Sequence, residues 1–273
     1  MSTGPKNGKK PETIIRKQFL RGNATDENTL KNSLIFFGSL LIVYFISFVV
    51  SATTSGSGII RLIVSIAIIT LTLIVFFNKG SAQGAEAVSR GEILWQKQEK
   101  GRAFSESERR ICFHPLKAFV IGMIGTIPLF VIAVVFAMNT QVQTTTAGAL
   151  PSWMQAYLRR DEVAGPLVSY TQSAGMGLTD ILRIIVRIAM MPFISLVGSA
   201  DYNAVYLLEK FSPFILLLPA CAYGTGYLNG PNVRAKVHTA ISENDRRRKR
   251  REKRERRNRA GIMAKPKGPQ QLN

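Results

Sequence analysis

Four stretches of the chain run for 16 to 21 residues without a single Asp, Glu, His, Lys or Arg, close to the length a helix needs to cross a ~30 Å hydrocarbon layer. They are Leu34 to Val50 (LIFFGSLLIVYFISFVV), Leu62 to Phe77 (LIVSIAIITLTLIVFF, extended upstream by Ile59 and Ile60), Ala118 to Met138 (AFVIGMIGTIPLFVIAVVFAM) and Phe211 to Leu228 (FSPFILLLPACAYGTGYL). A buried core helix of a soluble protein could account for one such run. Four in 273 residues predict an all-α, polytopic membrane protein. The first run follows a charged segment of more than thirty residues and has no small-residue cleavage site behind it, so the pattern is not that of a cleavable signal peptide.

Orientation follows from the basic residues between the runs. Of 36 Lys and Arg, seven lie in residues 1–32, eight in 78–117 and fifteen from Asn229 onward, whereas Arg61 and five residues between Asn139 and Lys210 make up the other side. The positive-inside rule places both termini and the middle loop in the cytoplasm. The chain divides into a basic N-terminal segment (1–32), a hairpin of two spans (33–77), a cytoplasmic helical loop (78–117), a third span (118–138), an outer region (139–210), a fourth span (211–228) and a basic tail (229–273). Compactness and short loops suggest a bacterial plasma membrane.

One segment of the outer region is long enough to span but is not clean. Leu178 to Val197 carries Asp180, Arg183 and Arg187 at spacings of three and four, which puts them in one narrow polar stripe on an otherwise apolar helix. This favours an element lying in the outer interface, re-entering it, or packed against the bundle, with Pro192 breaking or bending it. A fifth crossing would also carry the basic tail to the far side, against the charge bias. The stripe is a possible anion or substrate site at membrane depth. The simpler reading pairs Asp180 with Arg183 while both arginines extend to the headgroups. The absence of any ionisable group from the four clean runs weighs against a proton-coupled transporter.

The middle loop mixes Glu and Lys or Arg at near-helical spacings with Val88, Ile93, Leu94 and Trp95, a pattern that predicts an amphipathic helix with Trp95 as interfacial anchor. Gly101 ends that helix, Ser105-x-x-Glu108 is a capping box for the next, and Pro115 marks the bend into the third span. Cys112 and His114 form only a lone C-x-H, short of the three or four ligands a metal site needs. With no phosphate-binding, nucleophile-elbow or zincin motif in the chain, nothing supports an enzyme, a cofactor or a bound metal.

Small residues (Gly122, Gly125, Ala220, Gly224, Gly226) mark helix contacts, and Pro128, Pro213 and Pro219 are candidate kinks. A short helix is expected from Pro151, with Trp153 and Tyr157 at the outer headgroups.

The tail is the strongest charge feature. From Arg246 to Arg259, eleven of fourteen residues are basic: Arg246, Arg247, Arg248, Lys249, Arg250, Arg251, Lys253, Arg254, Arg256, Arg257 and Arg259. Ser242-x-x-Asp245 resembles a helix start, and Glu252 to Arg256 and Glu255 to Arg259 are four apart, so a helix of about 27 Å is expected with almost no apolar face. Three roles fit: binding anionic inner-leaflet lipid, binding ribosomal or other RNA through guanidinium–phosphate pairs, or fixing topology alone. Taken together, the sequence points to a non-enzymatic membrane scaffold or accessory subunit. It would recruit a polyanion or a cytoplasmic protein, within a membrane-protein complex, through the tail and the middle loop. The competing class is a transporter or channel component built on Asp180, Arg183 and Arg187.

Overall fold

The computed structural model describes residues 15–54, 58–140, 177–197 and 202–263, and the described residues form helices joined by short connections, with no strand among them. The short helix expected from Pro151 falls outside the described residues. We number the helices α1 (Thr29–Thr53), α2 (Gly58–Glu99), α3 (Glu106–Arg110), α4 (Lys117–Asn139), α5 (Leu178–Val197), α6 (Tyr202–Lys210), α7 (Ser212–Leu228) and α8 (Gly230–Met263). Three of them, α1, α2 and α4, are long and apolar enough to cross a membrane. Helices α6 and α7 meet that standard only as a pair, bent by 55° at Phe211.

The second apolar run and the middle loop belong to one helix. No Pro lies between Gly58 and Glu99, so α2 continues for 42 residues, about 63 Å at 1.5 Å per residue, well past the length of a span. It stops where glycine allows it to. Gly101 adopts φ +65° and donates to Gln98 O, while Arg102 donates to Lys97 O, the two bonds of a Schellman motif. At Ser105 the side chain caps α3 by accepting from the Ser107 N–H at 3.3 Å, and Glu108 turns to Lys97 instead of closing a capping box. Both α4 and α5 run unbroken through their internal prolines, Pro128 and Pro192, and Pro213 sits in the first turn of α7, where its missing N–H is not needed.

The bundle is organised around α7. It packs most extensively on α2 and then on α4, and α5 lies against α1, α2 and α4. Helices α2 and α7 run parallel and nearly touch. A Cβ on Gly226 would stand 2.0 Å from Phe77 O, and one on Gly80 would stand 2.1 Å from Tyr223 O, so neither position admits a side chain without moving a backbone. Around this crossing sit Phe36, Phe76 and Tyr223, with the Phe36 ring centroid 5.2 Å from that of Phe76 and 5.0 Å from that of Tyr223. The perimeter is apolar, with Ile42, Phe45, Ile63 and Leu71 more than two-fifths exposed, as suits a surface facing hydrocarbon.

The crossing makes a direct prediction. Gly226→Ala lowers thermal stability in detergent by about 1–3 kcal/mol through overpacking. Gly38→Ala, whose added Cβ meets nothing within 4 Å, leaves it unchanged within error.

Candidate functional site

The end of the bundle from which α8 projects, called basal here, is where the polar chemistry concentrates. Gly84 of α2 packs on Gly230, and eight residues further on Glu92 meets Arg234 and His238 of α8, so α8 runs parallel to the extension of α2. Glu92 is 5% exposed, and its two oxygens are divided between partners. Oε2 accepts from Arg234 Nε at 3.0 Å, and Oε1 lies 2.8 Å from His238 Nε2. A carboxylate this deep is held only because both of its oxygens are hydrogen-bonded to groups on the other helix.

Residues 15–23 form a strap over the two helices. Its Ile15 N–H donates to Thr239 Oγ1 at 3.1 Å, Leu20 N–H to Gly91 O at 3.2 Å, and Gly22 N–H to Phe113 O at 3.0 Å. Phe19 then sets its edge on Phe113, centroids 5.9 Å apart, and Phe113 stacks on Tyr227 at 5.1 Å.

A second buried pair ties the start of α1 to the start of α4. Lys117 Nζ lies 2.8 Å from Asp26 Oδ2, with the two side chains 5% and 4% exposed. The ammonium also donates to Arg110 O at 2.8 Å and to Cys112 O at 3.4 Å. Burial by itself would raise the Asp26 carboxyl, but the hydrogen bonds from Lys117 and Thr29 and the attraction of the ammonium outweigh it, so its pKa falls below the ordinary carboxylate value. Beside it, burial pushes the Cys112 thiol up against the pull of Lys117, Arg90 and Arg109, which disfavours the thiolate. His114 Nδ1 accepts from the Leu116 N–H at 3.3 Å, and Cys221 is exposed on α7. Among the described residues no group of three or more His, Cys, Asp and Glu is placed to hold a metal.

The basic tail segment occupies the outer half of α8. Every residue from Arg246 to Arg257 is exposed, and Arg259 lies in the same helix. Arg247 and Arg248 pair with Glu243 and Glu252 at 3.9 and 3.0 Å, both pairs exposed and worth little. Glu252 thus takes the arginine four residues before it, where the sequence spacing had suggested Arg256 four residues after.

The stripe on α5 is brought together, but it faces inward. Arg183 is 8% exposed. Its Nη1 reaches Asp180 Oδ1 at 3.4 Å, its Nη2 reaches Thr140 Oγ1 at 3.3 Å, and its guanidinium lies 5.5 Å from the centroid of Phe136. Arg187 Nη2 is 2.6 Å from Glu209 Oε1, and Thr140 Oγ1 donates to Glu209 Oε2 at 2.7 Å. Among the described residues the cluster holds two acids and two arginines, whose charges offset. Sequence reading found Asp180, Arg183 and Arg187 but missed Glu209 and, at the basal end, Glu92. Both are acids in mixed-polarity segments whose partners lie elsewhere in the chain.

No protein-family model, curated protein or solved structure matches the chain.

The Asp26–Lys117 pair gives a pH prediction. With the folded pKa below the unfolded value near 3.8, the pair's stabilisation is full above about pH 4 and is lost as the pH falls through the folded pKa. Asp26→Asn therefore costs about 3–5 kcal/mol at pH 7, because it leaves Lys117 buried and unpaired. It also removes part of the acid-side slope of stability, which thermal unfolding between pH 3 and 7 measures.

Proposed function

We propose that the protein is a four-span membrane scaffold or accessory subunit, with both termini cytoplasmic, that tethers a phosphate-bearing polyanion to the membrane through the basic segment of α8. The observation that carries this reading is how α8 is held. Its first turns are clamped to the extension of α2 by Gly84–Gly230 and by Glu92 with Arg234 and His238, while the basic residues lie beyond that contact and are exposed.

Distance favours RNA over lipid as the tail's partner. Arg246 is eighteen residues past Leu228, about 27 Å along a helix axis. Screening at physiological salt has a length of ~8 Å. A segment directed away from the bundle by its parallel packing on α2 thus starts about 20 Å beyond a headgroup layer roughly 5–8 Å thick, more than two screening lengths out. Its natural ligand is a polyanion in the cytoplasm, and nine arginines among eleven basic residues suit phosphate recognition by the guanidinium fork. RNA, including ribosomal RNA, is the polyanion of that chemistry. No aromatic residue interleaves the basic ones, so the contact reads the backbone and not the bases.

The offset charges of Asp180, Arg183, Arg187 and Glu209 support a structural clasp between α5, α6 and the end of α4. That role gives the transport reading no specific observation in its favour.

The test uses the full chain in nanodiscs of neutral lipid. Duplex RNA binds with an affinity that falls steeply with salt, and replacing the eleven basic residues from Arg246 to Arg259 by Gln lowers that affinity by at least about a hundredfold near 0.1 M salt and flattens the salt slope. If the substituted protein bound RNA as well as the parent, or if the parent bound anionic vesicles but no RNA, the proposal would fail.

A further inference from the structure

The basal end carries a second cationic feature, separate from the exposed segment of α8. Between the strap, α2 and the first turns of α8 lies a cavity of about 310 Å³. Its floor is apolar and deeply buried, with Val88, Phe113 and Ala235 at 2%, 6% and 3% exposure. Its mouth is cationic: Arg16, Lys17 and Arg21 line it and are exposed.

Among the described residues the positive charge at that mouth is not offset. Glu92 also lines the cavity, but its oxygens are committed to Arg234 and His238. Arg16 donates to a neutral amide, Asn232 Oδ1, at 3.4 Å, and among the described residues no carboxylate forms an ion pair with Arg16, Lys17 or Arg21. The strap is fixed by three hydrogen bonds from its backbone N–H groups, two to backbone carbonyls and one to the Thr239 hydroxyl, and by the Phe19–Phe113 contact, so the three cations are presented on an anchored backbone and not on a free tail. An anion bound here replaces solvent at a preassembled site.

The level of the cavity selects the anion. Pro115 and Pro231 border it, one three residues before the third apolar run and the other three residues after the fourth. At helical rise this edge of the cavity is within about 5 Å of the hydrocarbon, inside a headgroup layer roughly 5–8 Å thick on each side, while Ala235, seven residues past the fourth run, lies about 10 Å out. A soluble phosphate would use the cations and gain nothing from the Phe113 and Pro115 surface. A phospholipid uses both, with its phosphate on the cations and its glycerol backbone against the Phe113 and Pro115 surface at the membrane-side edge of the cavity.

We infer that this cavity binds the headgroup phosphate of an anionic phospholipid in the leaflet at the basal end, held by Arg16, Lys17 and Arg21. The inference shares with the proposed function only the placing of the basal end at a membrane surface. It needs no contribution from the basic segment of α8.

The experiment is native mass spectrometry of the full chain released from micelles holding equal phosphatidylglycerol and phosphatidylcholine. The parent retains phosphatidylglycerol preferentially. The triple variant Arg16→Gln, Lys17→Gln, Arg21→Gln lowers that retention at least about tenfold. Ala235→Leu fills the floor with the charges intact and lowers it as well, provided its thermal stability matches the parent's. Neutralising the basic segment of α8 leaves lipid retention unchanged while abolishing RNA binding, so the two readings fail separately. Undiminished retention in the triple variant would overturn the inference. So would displacement of the lipid by an equal concentration of inorganic phosphate, which would assign the cavity to a soluble ligand.

Discussion

The close crossing of α2 with α7 sets the geometry on which the rest of the molecule depends. Backbone meets backbone at Gly80, Gly84, Gly226 and Gly230, so the two helices stay within contact from the apolar part of α2 into its polar extension. Because α8 follows α7 after a single residue, Asn229, the direction of α7 is passed on to α8. The glycines alone would permit several rotations of the helices. The tilted rings of Phe36, Phe76 and Tyr223 fill the space beside the crossing and leave one of them.

Buried charge then takes over as the source of specificity outside the apolar layer. At the basal end Glu92 binds α2 to α8, and Asp26 with Lys117 binds the start of α1 to the start of α4. At the far end Glu209 binds α6 to α5 and, through Thr140, to α4. Such pairs add less net stability than their coulombic attraction suggests, because each ion first loses its water. What they do supply is a penalty of several kcal/mol for any arrangement that separates them. Each pair joins segments far apart in the chain, so together they select this packing over others with the same apolar contacts.

How much of this could be read from the sequence differs by element. The apolar runs, the stop at Gly101 and the polar stripe on α5 were visible, because each is encoded within one helical segment and needs no partner to be recognised. The continuity of α2 through Phe77 was not. Hydropathy changes there and glycines follow, but no proline lies between Phe77 and Glu99, and Gly80, Gly84 and Gly91 are kept helical by the close contacts they make with α7 and the strap, which the sequence does not display. The inward face of the stripe was also hidden. Asp180, Arg183 and Arg187 look alike whether they meet headgroups or a buried carboxylate, and Glu209 lies twenty-two residues beyond Arg187 in the chain. Glu92 is a plainer case. Its partner His238 is 146 residues away, and in a loop rich in Glu and Arg nothing local distinguishes it from an exposed acid such as Glu86.

The same geometry changes what the positive charge at the basal end means. Counted along the sequence, the basic residues of the strap, the middle loop and the tail form one statement about orientation. Set in three dimensions they separate by height. Arg16, Lys17 and Arg21 stand over an apolar cavity beside the ends of two apolar runs, where a charge acts on headgroups. The segment from Arg246 begins about 27 Å further along a helix that the Glu92 clamp directs outward, where screening leaves the leaflet's field weak. A flexible tail of the same composition would fold back on the anionic surface and the distinction would vanish. It is therefore the rigidity of the α2–α8 contact, more than the number of arginines, that divides the proposed lipid-binding role of the strap from the proposed RNA-binding role of the tail.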